Sequence, residues 1–308
     1  MTPNRIIIDT DPGIDDAMAI LLAMADPRIE LMGLTCIFGN VPVERATRNA
    51  LWLTEIARHP CLVAQGARHP LMRPPQDHPD FVHGVEGFGA EPAPAPRATP
   101  DPRGAARFLC ESVAEHPGEI TLIAVGPLTN LAEALAHDPA IARGVKGVIV
   151  MGGALRVPGN VTSHAEANIW QDPEAAAAVF AADWPVTLVG LDVTEAVHGT
   201  AADFAAIARA APEAGGFLDR AVQFYFAFHR DAHGLDGCHM HDPTAVIALT
   251  DPGLFTIHET PVRVITEGAE AGRTVEGGTG PRLRACLGVD AAAVMEVYRS
   301  TLSNGRLP

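Results

Sequence analysis

The sequence predicts a doubly wound α/β fold: an open, mostly parallel, Rossmann-like sheet with helices on both faces, C-terminal helices and antiparallel additions. Three observations carry this. Short apolar runs alternate with longer helical patterns, the signature of repeated βα units. The runs are continuously apolar rather than alternating, as in parallel strands covered on both faces. The chain has 308 residues, 47% hydrophobic and 19% charged, which places it in the soluble globular class with room for a large core.

The elements follow in order. Arg5–Ile8 is a strand built on three consecutive isoleucines. Pro12-Gly13 turns the chain, and Ile14–Ala25 is a helix with Asp15 and Asp16 in its first turn, where acids suit the helix dipole. Glu30–Ile37 is a strand, Val43–Arg58 a helix and Cys61–Val63 a short strand. Met72–Arg103 is rich in proline and reads as an irregular surface excursion; a long loop in a compact domain is often functional. Glu119–Val125 is a strand followed by a helix from Leu128, and Val145–Met151 is another strand. After a long loop come a helix at Pro173–Ala181 and a strand at Pro185–Leu191. In the last third, Gly216–Arg230 is a long helix leading into a histidine-rich loop, His229–Asp242. Strand-like pieces at Val262–Thr266 and Arg282–Leu287 and a closing helix at Ala291–Leu302 complete the chain. This last region reads as an addition to the same sheet, so residues 1–308 are expected to form a single domain.

The formal net charge is −15. Such a surface repels phosphate backbones, which argues against nucleic acid as a partner and favours cations. Cys36, Cys61, Cys110, Cys238 and Cys286 are scattered and odd in number, so they read as reduced thiols. No leader and no bilayer-length apolar stretch is visible, so a cytoplasmic protein is expected, away from membranes.

The sharpest feature is Asp9-Thr10-Asp11-Pro12-Gly13-Ile14-Asp15-Asp16. Four carboxylates fall where a strand ends and a helix begins. Two unit charges about 4 Å apart repel by roughly 4 kcal/mol at an effective dielectric of about 20. A helix N-terminus offsets only about 0.3–1 kcal/mol. A bound cation is the economical explanation, and an all-oxygen donor set points to Ca²⁺ or Mg²⁺. The bland alternative is a helix cap with solvated acids. An EF-hand is excluded, because the twelfth residue from Asp9 is Ile20. Asn40, Val125 and Met151 fall at the ends of other strands, and in an open α/β sheet such ends face one crevice.

Together these residues resemble the inosine–uridine-preferring nucleoside hydrolase family. The resemblance spans nearly the whole chain. It rests on the aspartate motif, on Gly126-Pro127-Leu128-Thr129-Asn130, on Met151-Gly152-Gly153, on Asn160 with Glu166-Ala167-Asn168, and on His241-Asp242-Pro243. It implies hydrolysis of the N-glycosidic bond of ribonucleosides to ribose and free base. It implies Ca²⁺ held by Asp11, Asp16, Asp242 and the carbonyl of Val125, together with the ribose 2′- and 3′-hydroxyls and a water on which Asp11 acts as base. Asp15, Asn160, Glu166, Asn168 and Asp242 are implied to grip the ribose, with Asn40 supporting the acids. His83, Met151, His229 and His241 are implied to line the substrate, with His241 a candidate proton donor to the base. Homodimers or homotetramers are implied as well.

That assignment suits the chemistry. Glycosidic cleavage passes through an oxocarbenium-like transition state, so carboxylates and amide oxygens around the sugar are stabilising. Read without the resemblance, Glu166, Asn168 and Asn160 could simply order a loop, and His241 with Asp242 could be a satisfied buried pair. Two departures stand out. Ala167 replaces a phenylalanine common in relatives, leaving a space that Trp170 or His164 could fill. His229 stands where some relatives carry a tyrosine, with His233 and His239 nearby. Two rivals remain: a haloacid dehalogenase-type phosphatase, which needs a lysine that only Lys146 could supply, and a non-catalytic nucleoside-binding protein.

Overall fold

A computed structural model describes residues 2–308. Strand β1 (Asn4–Thr10) leads into α1 (Ile14–Ala25), β2 (Ile29–Cys36), α2 (Val43–Ile56) and β3 (Leu62–Gln65). A helical turn α3 (Asp80–His83) and helix α4 (Ala105–Glu115) precede β4 (Ile120–Ala124), α5 (Thr129–His137), α6 (Ile141–Gly144), β5 (Gly147–Met151), α7 (Ala167–Gln171), α8 (Pro173–Ala181) and β6 (Val186–Val189). The last third holds α9 (Leu191–Thr194), β7 (His198–Gly199), α10 (Ala201–Ala210), α11 (Ala214–His233), β8 (Cys238–His239), α12 (His241–Thr250), β9 (Phe255–Val264), β10 (Thr274–Glu276), β11 (Arg282–Val289) and α13 (Ala291–Asn304).

The large sheet runs β10-β9-β11-β6-β5-β4-β1-β2-β3. From β3 to β6 every pair is parallel. This is the doubly wound order, and its direction reverses between β1 and β4. Both faces are covered: Ile6 and Ile8 enter one apolar cluster and Ile7 the other. Helix α1 is buried along its entire length, packing under α12 and α11, which explains its lack of a polar face.

The structure differs from the sequence expectations in several places. The short strand near Cys61 begins at Leu62 and runs to Gln65. The strand expected at Val262–Thr266 is the end of the longer β9. The strand near Arg282 joins β6 in parallel while pairing antiparallel with β9, so the additions make the sheet mixed. Helices α4 and α10 were not expected at all. Helix α11 continues past Arg230 to His233, so His233, like His229, rides on the helix rather than in a loop. Its stripe of Leu218, Ala221, Val222, Tyr225, Phe226 and His229 is buried, and beyond it no breaker stands before Gly234. The Met72–Arg103 excursion is not confined to the surface either. It folds inward at His83 and Phe88, which are 5% and 1% exposed.

Candidate active site

The carboxyl ends of β1 and β4 flank the point where strand order reverses, and the loops after them line a cleft of about 390 Å³. Asp11, Asp15 and Asp16 follow β1 and are 0%, 7% and 0% exposed, and Asp242 in the first turn of α12 is 2% exposed. The idea of solvated acids therefore fails, although Asp16 does cap α1. Its oxygens accept from the Gly13 N–H at 3.0 Å, the Asp11 N–H at 3.1 Å, the Thr10 hydroxyl at 2.5 Å and the Asn40 amide at 2.9 Å. Asp11 accepts the Asn40 backbone N–H at 2.6 Å through Oδ2. Its Oδ1, and Oδ1 of Asp15, are buried with no hydrogen-bond partner.

Burial and mutual repulsion act together here. Burial, then the charges of Asp15, Asp16 and Asp11, pushes Asp242 well above the usual carboxylate range. Asp11 is raised in the same way, by burial and then by Asp16, and burial lifts Asp15 to about 6. Among the described residues the ion-pair partner within 4 Å of these acids is the His83 ring, 3.8 Å from Asp15. That ring is neutral, because burial lowers it to about 4. A divalent cation fits the vacancy in charge. Oxygens of Asp15, Asp16 and Asp242 all lie within 4.8 Å of one another. This set has Asp15 where Asp11 was expected. The space around Asp11 is nonetheless reserved: a Cβ on Gly126 would stand 2.5 Å from its Oδ1, and one on Gly39 would collide with its Oδ2.

Further along the cleft, Glu166 caps α7, accepting the N–H groups of Gly153, Asn168 and Ile169. Asn168 donates to the Val125 carbonyl at 3.0 Å and the Met151 carbonyl at 3.2 Å. Asn160 accepts from Ala167 N–H at 3.0 Å. These residues thus order their loop and also line the cleft.

The other end is aromatic. His83 stacks on Tyr225, ring centroids 5.6 Å apart, and His229 meets Tyr225 edge-on at 4.2 Å. His239 lies 5.0 Å from His229, 5.5 Å from His233 and 5.4 Å from His241. Burial lowers His229 to about 4 and His239 to about 3, so these two rings are uncharged at neutral pH. His83 Nδ1 accepts the Ile14 N–H at 3.2 Å, leaving its proton on Nε2. His229 Nδ1 donates to the Tyr225 carbonyl at 2.9 Å, leaving Nε2 as an acceptor.

The pattern of a known family matches residues 6–296: the inosine-uridine preferring nucleoside hydrolases. The chain belongs to that family. It is 43% identical to uridine nucleosidase 1 of Arabidopsis thaliana over 273 residues, covering 88% of this chain and 81% of that one. Among solved structures, a plant nucleoside hydrolase superposes with a TM-score of 0.92 at 38% identity, covering 98% and 99% of the two chains. A purine-preferring ribonucleoside hydrolase from Gardnerella vaginalis gives 0.94 at 33%, covering 98% of each. The protein is a nucleoside hydrolase, an enzyme that splits ribonucleosides into ribose and free base. The phosphatase alternative gains nothing: Lys146 lies beyond the opposite end of β5, exposed, 3.3 Å from Asn4.

In this nucleoside hydrolase, Asp15, Asn40, His83, Val125, Met151, Asn160, Glu166, Asn168, His229, His241 and Asp242 line one cleft, with Asp11 and Asp16 buried against it. Of the two residues considered beside Ala167, Trp170 lines the cleft, whereas His164 turns away to Glu270, 3.8 Å distant. Sequence reasoning missed Tyr225, Phe228 and Thr194. Tyr225 had a readable signal, since it sits one helical turn before His229 on the same face. Thr194 had none, because its turn lies distant in sequence from the histidine it meets.

Proposed function

We propose that the ion is Ca²⁺, bound by Asp11, Asp16, Asp242 and the Val125 carbonyl with Asp15 adjoining them, and that Asp11 is the general base. The observation that carries this is the pair of buried, unpartnered oxygens on Asp11 and Asp15, in a group of acids that no lysine or arginine neutralises. When bound, the ion supplies positive charge and anchors the ribose hydroxyls and the attacking water. Asp11, its proton affinity raised by burial, takes a proton from that water at Oδ1. Asp15, Asn160, Glu166, Asn168 and Asp242 grip the ribose, and their negative and amide oxygens favour the cationic sugar of the transition state. Asn40 holds Asp11 and Asp16 in place. At the other end His83, Met151 and His229 contact the nucleobase, and His241 offers it a hydrogen bond from its ring N–H as the bond breaks.

The natural substrate is a free nucleoside, which suits a cleft of this volume and a surface of net charge −15. Nucleic acid and membranes are not partners on this reading. No helix among the described residues is long and apolar enough to cross a membrane, in keeping with a cytoplasmic enzyme. A single domain assembled as a homodimer or homotetramer completes the proposal.

A panel of nucleosides assayed for reducing sugar, with and without a chelator, tests it. Ribose release from inosine or uridine should vanish on chelation and return with added Ca²⁺. Turnover indifferent to chelation, or binding without turnover, refutes it.

A further inference from the structure

We propose that Thr194 is a positioning residue that fixes which nitrogen of His241 carries the proton. The Thr194 hydroxyl lies 2.8 Å from His241 Nδ1, and Thr194 is fully buried. This is the one hydrogen bond its hydroxyl makes among the described residues. Two arrangements satisfy that distance. If Nδ1–H donated to the threonine oxygen, the hydroxyl hydrogen would be buried with no acceptor. If the hydroxyl donates to Nδ1, both the buried hydroxyl hydrogen and Nδ1 are satisfied. The second arrangement places the proton on Nε2, the ring edge left to face the cleft that His241 lines. His241 then presents an N–H to the departing base rather than a lone pair.

The support is rigid, as such a role requires. Asp192, on the same turn α9, accepts the N–H groups of Leu155 at 2.9 Å and Arg156 at 2.8 Å. The Leu191 N–H donates to the Gly153 carbonyl at 2.9 Å. Helix α9 is thereby tied to the loop after β5, and α12 packs against it. The hydroxyl of Thr194 is held where the ring of His241 must meet it.

The role at the base rests on the reading of His241 as leaving-group donor; the tautomer does not. Two measurements keep them apart. ¹⁵N-histidine spectra of the whole protein, assigned with His241→Gln, should show His241 protonated on Nε2, and Thr194→Val should convert it to a mixture while Thr194→Ser preserves it. Protonation on Nδ1 in the parent protein overturns the proposal, whatever His241 does. In kinetics, Thr194→Val should lower kcat on inosine or uridine by about 10- to 100-fold, below the ceiling of proton-transfer catalysis, with KM nearly unchanged. Hydrolysis of p-nitrophenyl riboside, whose leaving group needs no proton, should fall by less than about threefold. Thr194→Ser should restore the loss. Equal losses on both substrates would mean a structural role and overturn the positioning claim. If His241→Ala itself proves indifferent to the leaving group, the donor reading falls, and the spectra alone decide the tautomer.

Discussion

At the scale of single residues, the aromatic end of the cleft holds two histidines, His229 and His239, that burial keeps uncharged. His239 is the clearest case, since burial lowers it from the usual 6.5 to about 3. The unfolded chain takes up that proton near pH 6.5, and the folded chain does so only near pH 3. The contribution of His239 to stability is therefore complete above pH 6.5 and is lost as pH falls toward 3. The ring is partly open to the cleft, so the loss is smaller than the about 1.4 kcal/mol per pH unit of a fully shielded group. His239→Gln should lose less stability than the parent between about pH 7 and about pH 5, read from urea midpoints. Parallel curves would mean that the ring accepts a proton freely in the fold.

Among the elements, the decisive ones are the turns after the parallel strands. Gly126, after β4, exists as glycine because Asp11 Oδ1 and Ile37 occupy the space a side chain would need. Gly126→Ala should leave the fold intact but push Asp11 off its position. Overpacking typically costs about 1–3 kcal/mol, which corresponds to a loss in kcat/KM of roughly 5- to 150-fold if it falls on the transition state. Full activity with an unchanged Tm would show that the space is not needed. These turns were the legible part of the sequence. Apolar runs ending in Asp, Asn or Gly mark strand ends, and strand ends of a doubly wound sheet converge by topology. The last third was less legible for a physical reason. Helix α11 extends three exposed residues past the expected end, to the left-handed cap at Gly234, and an exposed polar turn carries no apolar signal in a sequence. Nor could the Met72–Arg103 segment reveal that His83 turns inward, since its anchor, the Ile14 N–H, is supplied by a helix far back in the chain.

For the whole molecule, the buried acids make folding and ion binding one equilibrium. Without a cation, carboxylates destabilised by burial and mutual repulsion subtract from stability at neutral pH. A ligand at a hundred times its Kd adds about 2.7 kcal/mol. Millimolar Ca²⁺ should raise Tm by calorimetry, and Asp242→Asn should abolish most of the rise. An equal rise in that variant would place the stabilising ion elsewhere.

The cleft also divides its labour along the chain. On the proposed reading, the groups around the sugar come mainly from turns of the first 170 residues, fixed by the parallel strands behind them. On the same reading, those around the base come largely from α11 and the start of α12, with His83 and Met151. Asp242, a sugar-side group, stands in the first turn of α12. On that reading, changes at the histidines and aromatics of α11 would shift nucleobase preference without disturbing the acids around the sugar.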